Sequence, residues 1–189
     1  YTTLQKNCPV LEKCKQFAKK YKKFISIGSL LLRRKISSKL LNRSFFIDRS
    51  GKILNYYDKI HLFDVNINKK EIHRESKFFH KGNKLVCINS PWGKIGLSIC
   101  YDLRFPNLYR SLINRGAKII LVPSAFTIPT GKDHWEILLR SRAIENSCFI
   151  IAAAQCGEHH GSRKTYGHSL IVDPWGNILL KGSNKPGIF

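Results

Sequence analysis

The sequence predicts a single α/β domain whose sheets contain both parallel and antiparallel strands. Segments with helical apolar spacing alternate along the chain with short apolar segments of strand length. Several strand-like segments are joined in pairs by four-residue turn clusters, as in antiparallel hairpins. No internal repeat or low-complexity linker interrupts the pattern, and 189 residues suit one domain.

Residues 9–23 predict an amphipathic helix, with a proline near its start and lysines opposite the apolar face. The predicted apolar face comprises Val10, Cys14, Phe17, Ala18 and Tyr21. The dense apolar run at residues 24–32 has the length of a strand. Residues 45–47 and 53–57 flank an Asp-Arg-Ser-Gly turn, which predicts a hairpin.

A second hairpin is predicted to pair residues 84–89 with residues 94–100 across a Ser-Pro-Trp-Gly turn. Its last strand ends at Cys100. Residues 105–115 then have helical apolar spacing, and this helix stops at Gly116, as helices often do at a glycine.

The remaining elements continue the alternation of strands and helices. We expect a strand at residues 117–124 and a helix at residues 134–146. Residues 148–154 are almost wholly apolar, which predicts a strand buried on both faces. A last hairpin pairs residues 167–172 with residues 177–180 across an Asp-Pro-Trp-Gly turn.

The chain is strongly basic, with 33 Lys and Arg against 12 Asp and Glu and a formal net charge of +21. Basic side chains supply most non-specific affinity for nucleic acid. However, a lysine run such as that at residues 19–23 is more typical of a solvated helix face, and no aromatic signature of RNA recognition accompanies it. We therefore predict no nucleic-acid partner.

Hydropathy and cysteine usage predict a soluble, cytoplasmic protein with no membrane partner. No run approaches the ~20 apolar residues that span a bilayer, and no signal-peptide pattern opens the chain. The six cysteines form no CxxC pair, which favours reduced thiols. The cluster of Cys156, His159 and His160 lacks a matching second pair of ligands, so no metal is predicted.

Cys100 is the first candidate for a catalytic residue. It follows a predicted buried strand and precedes a turn and a helix, where α/β folds place ligands and nucleophiles. The alternative is a buried structural thiol, because free cysteine is among the most buried residue types. Its neighbours favour catalysis: Tyr-Asp-Leu-Arg-Phe-Pro follows Cys100, and polar clusters lie upstream at residues 58–64 and 73–76.

These motifs resemble those of the nitrilase superfamily of carbon-nitrogen hydrolases, whose members use a Glu, Lys, Cys triad supported by a second Glu. Lys59, in Lys-Ile-His-Leu-Phe-Asp, resembles the family lysine. Glu75 resembles the second glutamate, and Cys100 resembles the nucleophile. Further matching runs lie at residues 123–126, 131–146, 166–169 and 173–176. The resemblance implies an αββα sandwich with mixed sheets that pairs into a homodimer or higher homo-oligomer.

The chemistry explains why these residue types are needed. A thiol with a pKa near 8.5 is only a few per cent thiolate at neutral pH, so a cation or base must activate it. Lys59 can do so, and it can stabilise the oxyanion together with the backbone N–H of Tyr101. Glu75 would orient Lys59. The alternative is an ordinary surface pair of Lys59 and Glu75, worth ~0–1 kcal/mol.

Three further residues are assigned supporting roles. Glu136 resembles a motif position that lies close to the thiol in the family. Arg104 and His134 are candidate substrate-binding residues, since a guanidinium forks onto both oxygens of a carboxylate. The proposed reaction needs no metal and no organic cofactor, and its partner is a small-molecule amide.

The family's first glutamate, the general base, is not present in this chain. Nothing before Pro9 matches it, and Glu12 lies within the predicted helix. The chain begins at Tyr1 and contains no Met, so we expect the natural protein to extend upstream and slightly further at its C-terminus. Loss of general-base help costs roughly 10²–10⁴-fold, so this chain alone is expected to be nearly inactive.

The loop at residues 152–160, followed by Tyr-Gly-His-Ser at 166–169, resembles the branch of the superfamily that hydrolyses deaminated glutathione. This resemblance implies 2-oxoglutarate and cysteinylglycine as products. Two alternatives stay open. One is an ω-amidase acting on 2-oxoglutaramate or 2-oxosuccinamate, and the other is a catalytically silent scaffold with a basic binding surface.

Overall fold

The computed structural model describes residues 2–34, 37–67, 72–159 and 163–189. Fourteen strands and four helices, with short helical turns between some of them, make up this part of the chain. The chain divides into two units, Tyr1–Val86 and Cys87–Phe189.

The first unit contains a four-stranded sheet in the order β1-β2-β3-β4 and a separate pair, β5-β6. β1 runs parallel to β2, and the other pairs are antiparallel. Its elements are β1 Thr3–Leu4, α1 Pro9–Tyr21, β2 Ile25–Arg34, β3 Ser37–Ile47, β4 Ile53–Asp58, β5 Asp64–Asn66 and β6 Ile72–Arg74.

Helix α1 confirms the predicted amphipathic helix, but the predicted apolar face is partly wrong. Leu11 and Ala18 are the residues of α1 that are fully buried, and they belong to a core cluster with apolar residues of β2 and β3. Val10, Phe17 and Tyr21 are each about half exposed. The buried stripe is therefore narrower than residue type alone suggests.

The first predicted hairpin is confirmed as β3–β4. Asp48 accepts hydrogen bonds from the backbone amides of Ser50 and Lys52, which closes the turn. Gly51 has a φ of +85°, and a Cβ there would lie 2.6 Å from the carbonyl oxygen of Lys15 on α1. The turn therefore requires glycine for both its conformation and its approach to the helix.

The second unit contains a six-stranded sheet in the order β14-β13-β10-β9-β8-β7 and a separate pair, β11-β12. β8, β9 and β10 run parallel, and the remaining pairs are antiparallel. Its elements are β7 Cys87–Ser90, β8 Gly93–Leu97, α2 Pro106–Asn114, β9 Ala117–Leu121, α3 Ile128–Thr130, α4 Glu136–Asn146, β10 Phe149–Ala152, β11 Cys156–Glu158, β12 Lys164–Tyr166, β13 Leu170–Val172 and β14 Ile178–Lys181.

The mixed character of the sheets is confirmed, and each crossover between parallel strands carries a helix. α2 connects β8 to β9, and α4 connects β9 to β10. The two helices pack against each other and against the sheet. Crossover connections of this kind bring the carboxyl ends of the parallel strands to one edge.

Two strand predictions require correction. β8 ends at Leu97, earlier than the predicted end at Cys100. Ile99 is still extended, and the backbone turns into the left-handed conformation at Cys100. β10 was expected to be buried on both faces, yet Phe149 and Ile151 are 40% and 38% exposed. Only Ile150 and Ala152 point into the core, so apolar side chains on both faces do not guarantee burial on both.

Candidate active site

Lys59 follows β4 directly and is held by backbone hydrogen bonds on both sides. Its N–H donates to the carbonyl oxygen of Asn42 on β3 at 3.0 Å, and its own carbonyl accepts from Gly82 at 2.7 Å. Only 3% of its side chain is exposed. The ammonium is therefore carried into a buried position by the end of a strand.

The Lys59 Nζ lies 2.5 Å from Oε2 of Glu75. The same carboxylate oxygen accepts the backbone N–H of Phe63 at 2.6 Å, and Oε1 accepts Nδ2 of Asn42 at 3.2 Å. Both oxygens of Glu75 are thus engaged by the first unit. The pair of Lys59 and Glu75 is therefore unlike an exposed ion pair. A buried charge is tolerated only when it is paired and hydrogen-bonded, and both conditions are met here.

Cys100 opens a 3₁₀ turn, Cys100–Arg104, directly before α2. Its φ of +51° lies in the left-handed region, which costs about 1–3 kcal/mol for a residue other than glycine. Its N–H donates to the carbonyl oxygen of Pro123, just beyond β9, at 2.9 Å. The thiol is partly exposed. Backbone strain of this kind clusters at functional sites, where the surrounding structure holds it in place.

Asp102 holds the turn from within and was missed by the sequence analysis. The residue is fully buried, and its Oδ2 accepts the backbone N–H of Ile99 at 2.9 Å. Arg142, also buried, donates from Nε to the carbonyl oxygen of Leu103 at 3.0 Å. The sequence offered one signal for Asp102, a carboxylate within the predicted turn that follows Cys100.

Tyr101 is the second residue of this turn, as expected for a candidate oxyanion donor that follows the nucleophile. Its ring lies edge-on to Phe105, with ring centroids 5.4 Å apart. Whether its N–H serves an oxyanion stays a prediction.

Arg104 and His134, the candidate substrate-binding residues, contact each other. Arg104 Nη2 lies 3.1 Å from Nδ1 of His134. A guanidinium can only donate, so Nδ1 is the acceptor in this contact. The guanidinium also lies 5.6 Å from the centroid of the Phe126 ring.

Glu136 begins α4, and it pairs with Lys181 of β14 at 2.7 Å. Both side chains are partly exposed. The hydrogen bond to Glu136 raises the pKa of Lys181. The preceding Trp135 is buried and donates from Nε1 to the carbonyl oxygen of His168 at 2.7 Å. The proposed supporting role of Glu136 stays a prediction.

Among the described residues, no group of three or more His, Cys, Asp or Glu side chains could hold a metal ion. His159 Nε2 instead lies 2.7 Å from Oγ1 of Thr165, and His160 falls outside the described residues. All six cysteines are free thiols. In the described ranges, no helix is both long and apolar enough to cross a bilayer.

The structure thus brings together Lys59 with Glu75 in the first unit and Arg104 with His134 in the second. Cys100 belongs to the second unit. Its cooperation with Lys59 and Glu75 stays a prediction.

The chain belongs to the carbon-nitrogen hydrolase family, whose profile matches residues 1–188. It is 45% identical to the deaminated glutathione amidase of Yersinia enterocolitica, over 95% of this chain and 63% of that protein. The chain therefore spans less than two thirds of this relative's length.

Solved structures confirm the nitrilase-like fold. The Caenorhabditis elegans NitFhit protein superposes with a TM-score of 0.89 at 42% identity, covering 95% of this chain and 44% of that one. A nitrilase-superfamily amidase from Nesterenkonia gives a TM-score of 0.80 at 26% identity, covering 94% of this chain and 63% of that one. In that structure, a mutant of the amidase carries the acetamide moiety of fluoroacetamide covalently on its active-site cysteine.

Proposed function

We propose that the protein is an amidase that hydrolyses deaminated glutathione to 2-oxoglutarate and cysteinylglycine, with Cys100 as the nucleophile. The observation that carries the proposal is the Cys100 turn: a left-handed, partly exposed cysteine held by Pro123 at the end of the parallel strands. The name of the Yersinia relative supports the substrate, and the cysteine adduct of the Nesterenkonia amidase supports the covalent chemistry.

The reaction has two steps. The Cys100 Sγ attacks the amide carbonyl carbon, the C–N bond breaks, and the amine of cysteinylglycine leaves with one proton. Water then attacks the resulting thioester, releases 2-oxoglutarate and returns the proton to sulfur. No step requires a metal or an organic cofactor.

We assign the following roles to the other site residues. The Lys59 ammonium stabilises the thiolate and the oxyanion, and Glu75 fixes that ammonium through the 2.5 Å ion pair. The backbone N–H of Tyr101 donates to the same oxyanion. Glu136 supports the site from the start of α4.

Arg104 is proposed to bind a substrate carboxylate, and His134 to orient its guanidinium through the 3.1 Å contact. Arg104→Lys loses the forked geometry, so the KM is expected to rise about tenfold. Steady-state kinetics measure this value. An unchanged KM would remove Arg104 from the substrate-binding assignment.

Release of 2-oxoglutarate by the full-length protein tests the function, because both candidate amides yield this product. We expect kcat/KM for deaminated glutathione to exceed that for 2-oxoglutaramate by about tenfold or more. Cys100→Ala should abolish release, whereas Cys14→Ala, at another partly exposed cysteine, should preserve it.

Other outcomes select the alternatives. A preference for 2-oxoglutaramate would identify an ω-amidase instead. No release from either amide, together with binding to RNA that falls steeply with added salt, would favour the silent scaffold.

The protein is further proposed to assemble as a homodimer or higher homo-oligomer. An apolar patch supports this proposal: Ile137 and Ile144 on α4 and Trp175 at the β13–β14 turn are 66%, 52% and 83% exposed. Ile144 packs close to Gly176, which joins the turn to the helix. Exposed apolar patches commonly mark protein interfaces.

The six free thiols favour a reducing compartment such as the cytoplasm.

A further inference from the structure

Asn42, a residue that the sequence analysis did not single out, contacts the Lys59–Glu75 pair at two points. Its backbone carbonyl accepts the N–H of Lys59 at 3.0 Å, and its side-chain Nδ2 donates to Oε1 of Glu75 at 3.2 Å. Asn42 therefore contacts both the backbone of Lys59 and the carboxylate of Glu75, which is the partner of the Lys59 ammonium.

Ser29 on β2 contacts the side of the Asn42 amide that faces away from Glu75. The Ser29 hydroxyl makes a short hydrogen bond to Oδ1 of Asn42. Because an ionised carboxylate can only accept, the amide nitrogen faces Glu75, and Oδ1 accepts the proton of the serine hydroxyl. The β2–β3 register shifts between Ile27 and Leu30, so Ser29 lies within an irregularity of the strand. Such bulges commonly re-aim a side chain.

The contacts of Glu75 show what this orientation achieves. Oε2 receives Lys59 Nζ and the N–H of Phe63, and Oε1 receives the Asn42 amide. Donors approach both oxygens, so a partial rotation of the carboxylate plane would lengthen all three contacts. The Asn42 amide thereby helps to hold the carboxylate in the plane that meets the ammonium.

We infer that Asn42, held by a hydrogen bond from Ser29, is a positioning residue that holds the Glu75 carboxylate against the Lys59 ammonium. It acts through Glu75 and touches no reacting atom. The inference deepens the proposed function, since its kinetic consequence depends on the amidase reaction. Its geometric consequence does not.

The geometric test follows the backbone amide of Phe63 by NMR in protein labelled with ¹⁵N-phenylalanine. A 2.6 Å hydrogen bond to a carboxylate is short, so this proton is expected to resonate far downfield. Asn42→Ala should move the resonance upfield, because the carboxylate is then free to rotate. Ser29→Ala should move it in the same direction by less. Asn55→Ala, at an exposed asparagine on β4, should leave it unchanged.

The kinetic test uses the same variants in the full-length protein with deaminated glutathione. A misplaced lysine impairs the chemical step, so Asn42→Ala is expected to lower kcat about 10- to 100-fold with KM within about twofold. Asn42→Asp places a second carboxylate beside Glu75. The two groups must then share a proton, and the acidic limb of the kcat/KM profile should move to higher pH.

The outcomes separate the two ideas. Folded Asn42→Ala and Ser29→Ala variants with an unmoved Phe63 resonance, or with unchanged kcat, would overturn the inference. The Phe63 resonance could move in the variants while the wild-type protein hydrolyses neither amide. That result would reject the proposed function and leave the geometric assignment standing.

Discussion

At the scale of single residues, the Asp102 carboxylate of the second unit is fully buried. A buried carboxylate is costly unless hydrogen bonds replace its lost water. Here Oδ2 receives the Ile99 N–H, which ties the residue before Cys100 to the residue that follows Tyr101. This side-chain hydrogen bond therefore spans Cys100 and helps to hold its left-handed conformation.

Asp102→Ala is expected to lower the free energy of unfolding by about 1–3 kcal/mol, because the buried Ile99 amide loses that acceptor. Urea denaturation measures the change. Asp133→Ala, at an exposed residue before α4, is the control and should stay within about 0.5 kcal/mol of wild type. Equal stabilities of the two variants would contradict a structural role for Asp102.

Cys148 should make stability sensitive to alkaline pH. Burial raises the pKa of its thiol to about 12. The unfolded thiol ionises near pH 8.5, so above that value the unfolded state releases a proton that the folded state keeps. The contribution of this thiol to the free energy of unfolding should therefore be fully present below about pH 8.5. Above that value the free energy of unfolding should fall by up to about 1.4 kcal/mol per pH unit.

The comparison of wild type with Cys148→Ala tests this linkage. Urea denaturation between about pH 8 and 11 should show a shallower decline for the variant, since one titrating group has been removed. Val172→Ala, at a buried residue with no titrating group, should keep the wild-type slope. Parallel slopes for all three proteins would contradict the expectation.

The sequence identified candidate site residues only where they lie in motifs whose residue types suggest a reaction. Cys100, Lys59 and Glu75 belong to such motifs, and the contact between Lys59 and Glu75 appears in the structure. Asn42 could not be found, because it lies in a polar stretch of β3 that gave no strand signal. Its role depends on strand register, which is set by pairing with distant residues.

At the scale of elements, turns were the most predictable features. The hairpin around Asp173 was expected from its turn residues, and Asp173 accepts hydrogen bonds from the backbone amides of Trp175 and Asn177. Burial was harder to predict. Val10 and Phe17 are apolar yet exposed, whereas Leu11, outside the predicted face, is buried. Tertiary packing decides which of several apolar stripes a helix presents to the core.

Lys22→Gly is expected to stabilise the first unit. Lys22 caps α1 in the left-handed conformation with a φ of +52°, which favours glycine. The gain should be about 0.5–1 kcal/mol in the free energy of unfolding. Lys23→Gly removes the same charge without a positive φ to relieve, so it should give no gain. Equal effects in denaturation experiments would indicate that charge, not backbone conformation, is responsible.

At the scale of the whole molecule, the proposed assembly can be tested through its apolar patch. Ile137→Glu and Ile144→Glu should each place a charge in the interface and lower the sedimentation coefficient of the full-length protein. Ile188→Glu, at a fully exposed isoleucine near the C-terminus, should have no effect. A monomeric wild type, or no change in either α4 variant, would contradict the proposed interface.

The hydrogen bond from Cys100 to Pro123 has a consequence for how the protein is made. Cys100 follows β8 and Pro123 follows β9, with α2 between the strands, so the bond is expected to form together with their parallel pairing. A newly synthesised chain that has not yet reached this stage carries an ordinary, unconstrained thiol. Maturation of the nucleophile is therefore expected to coincide with the pairing of β8 with β9.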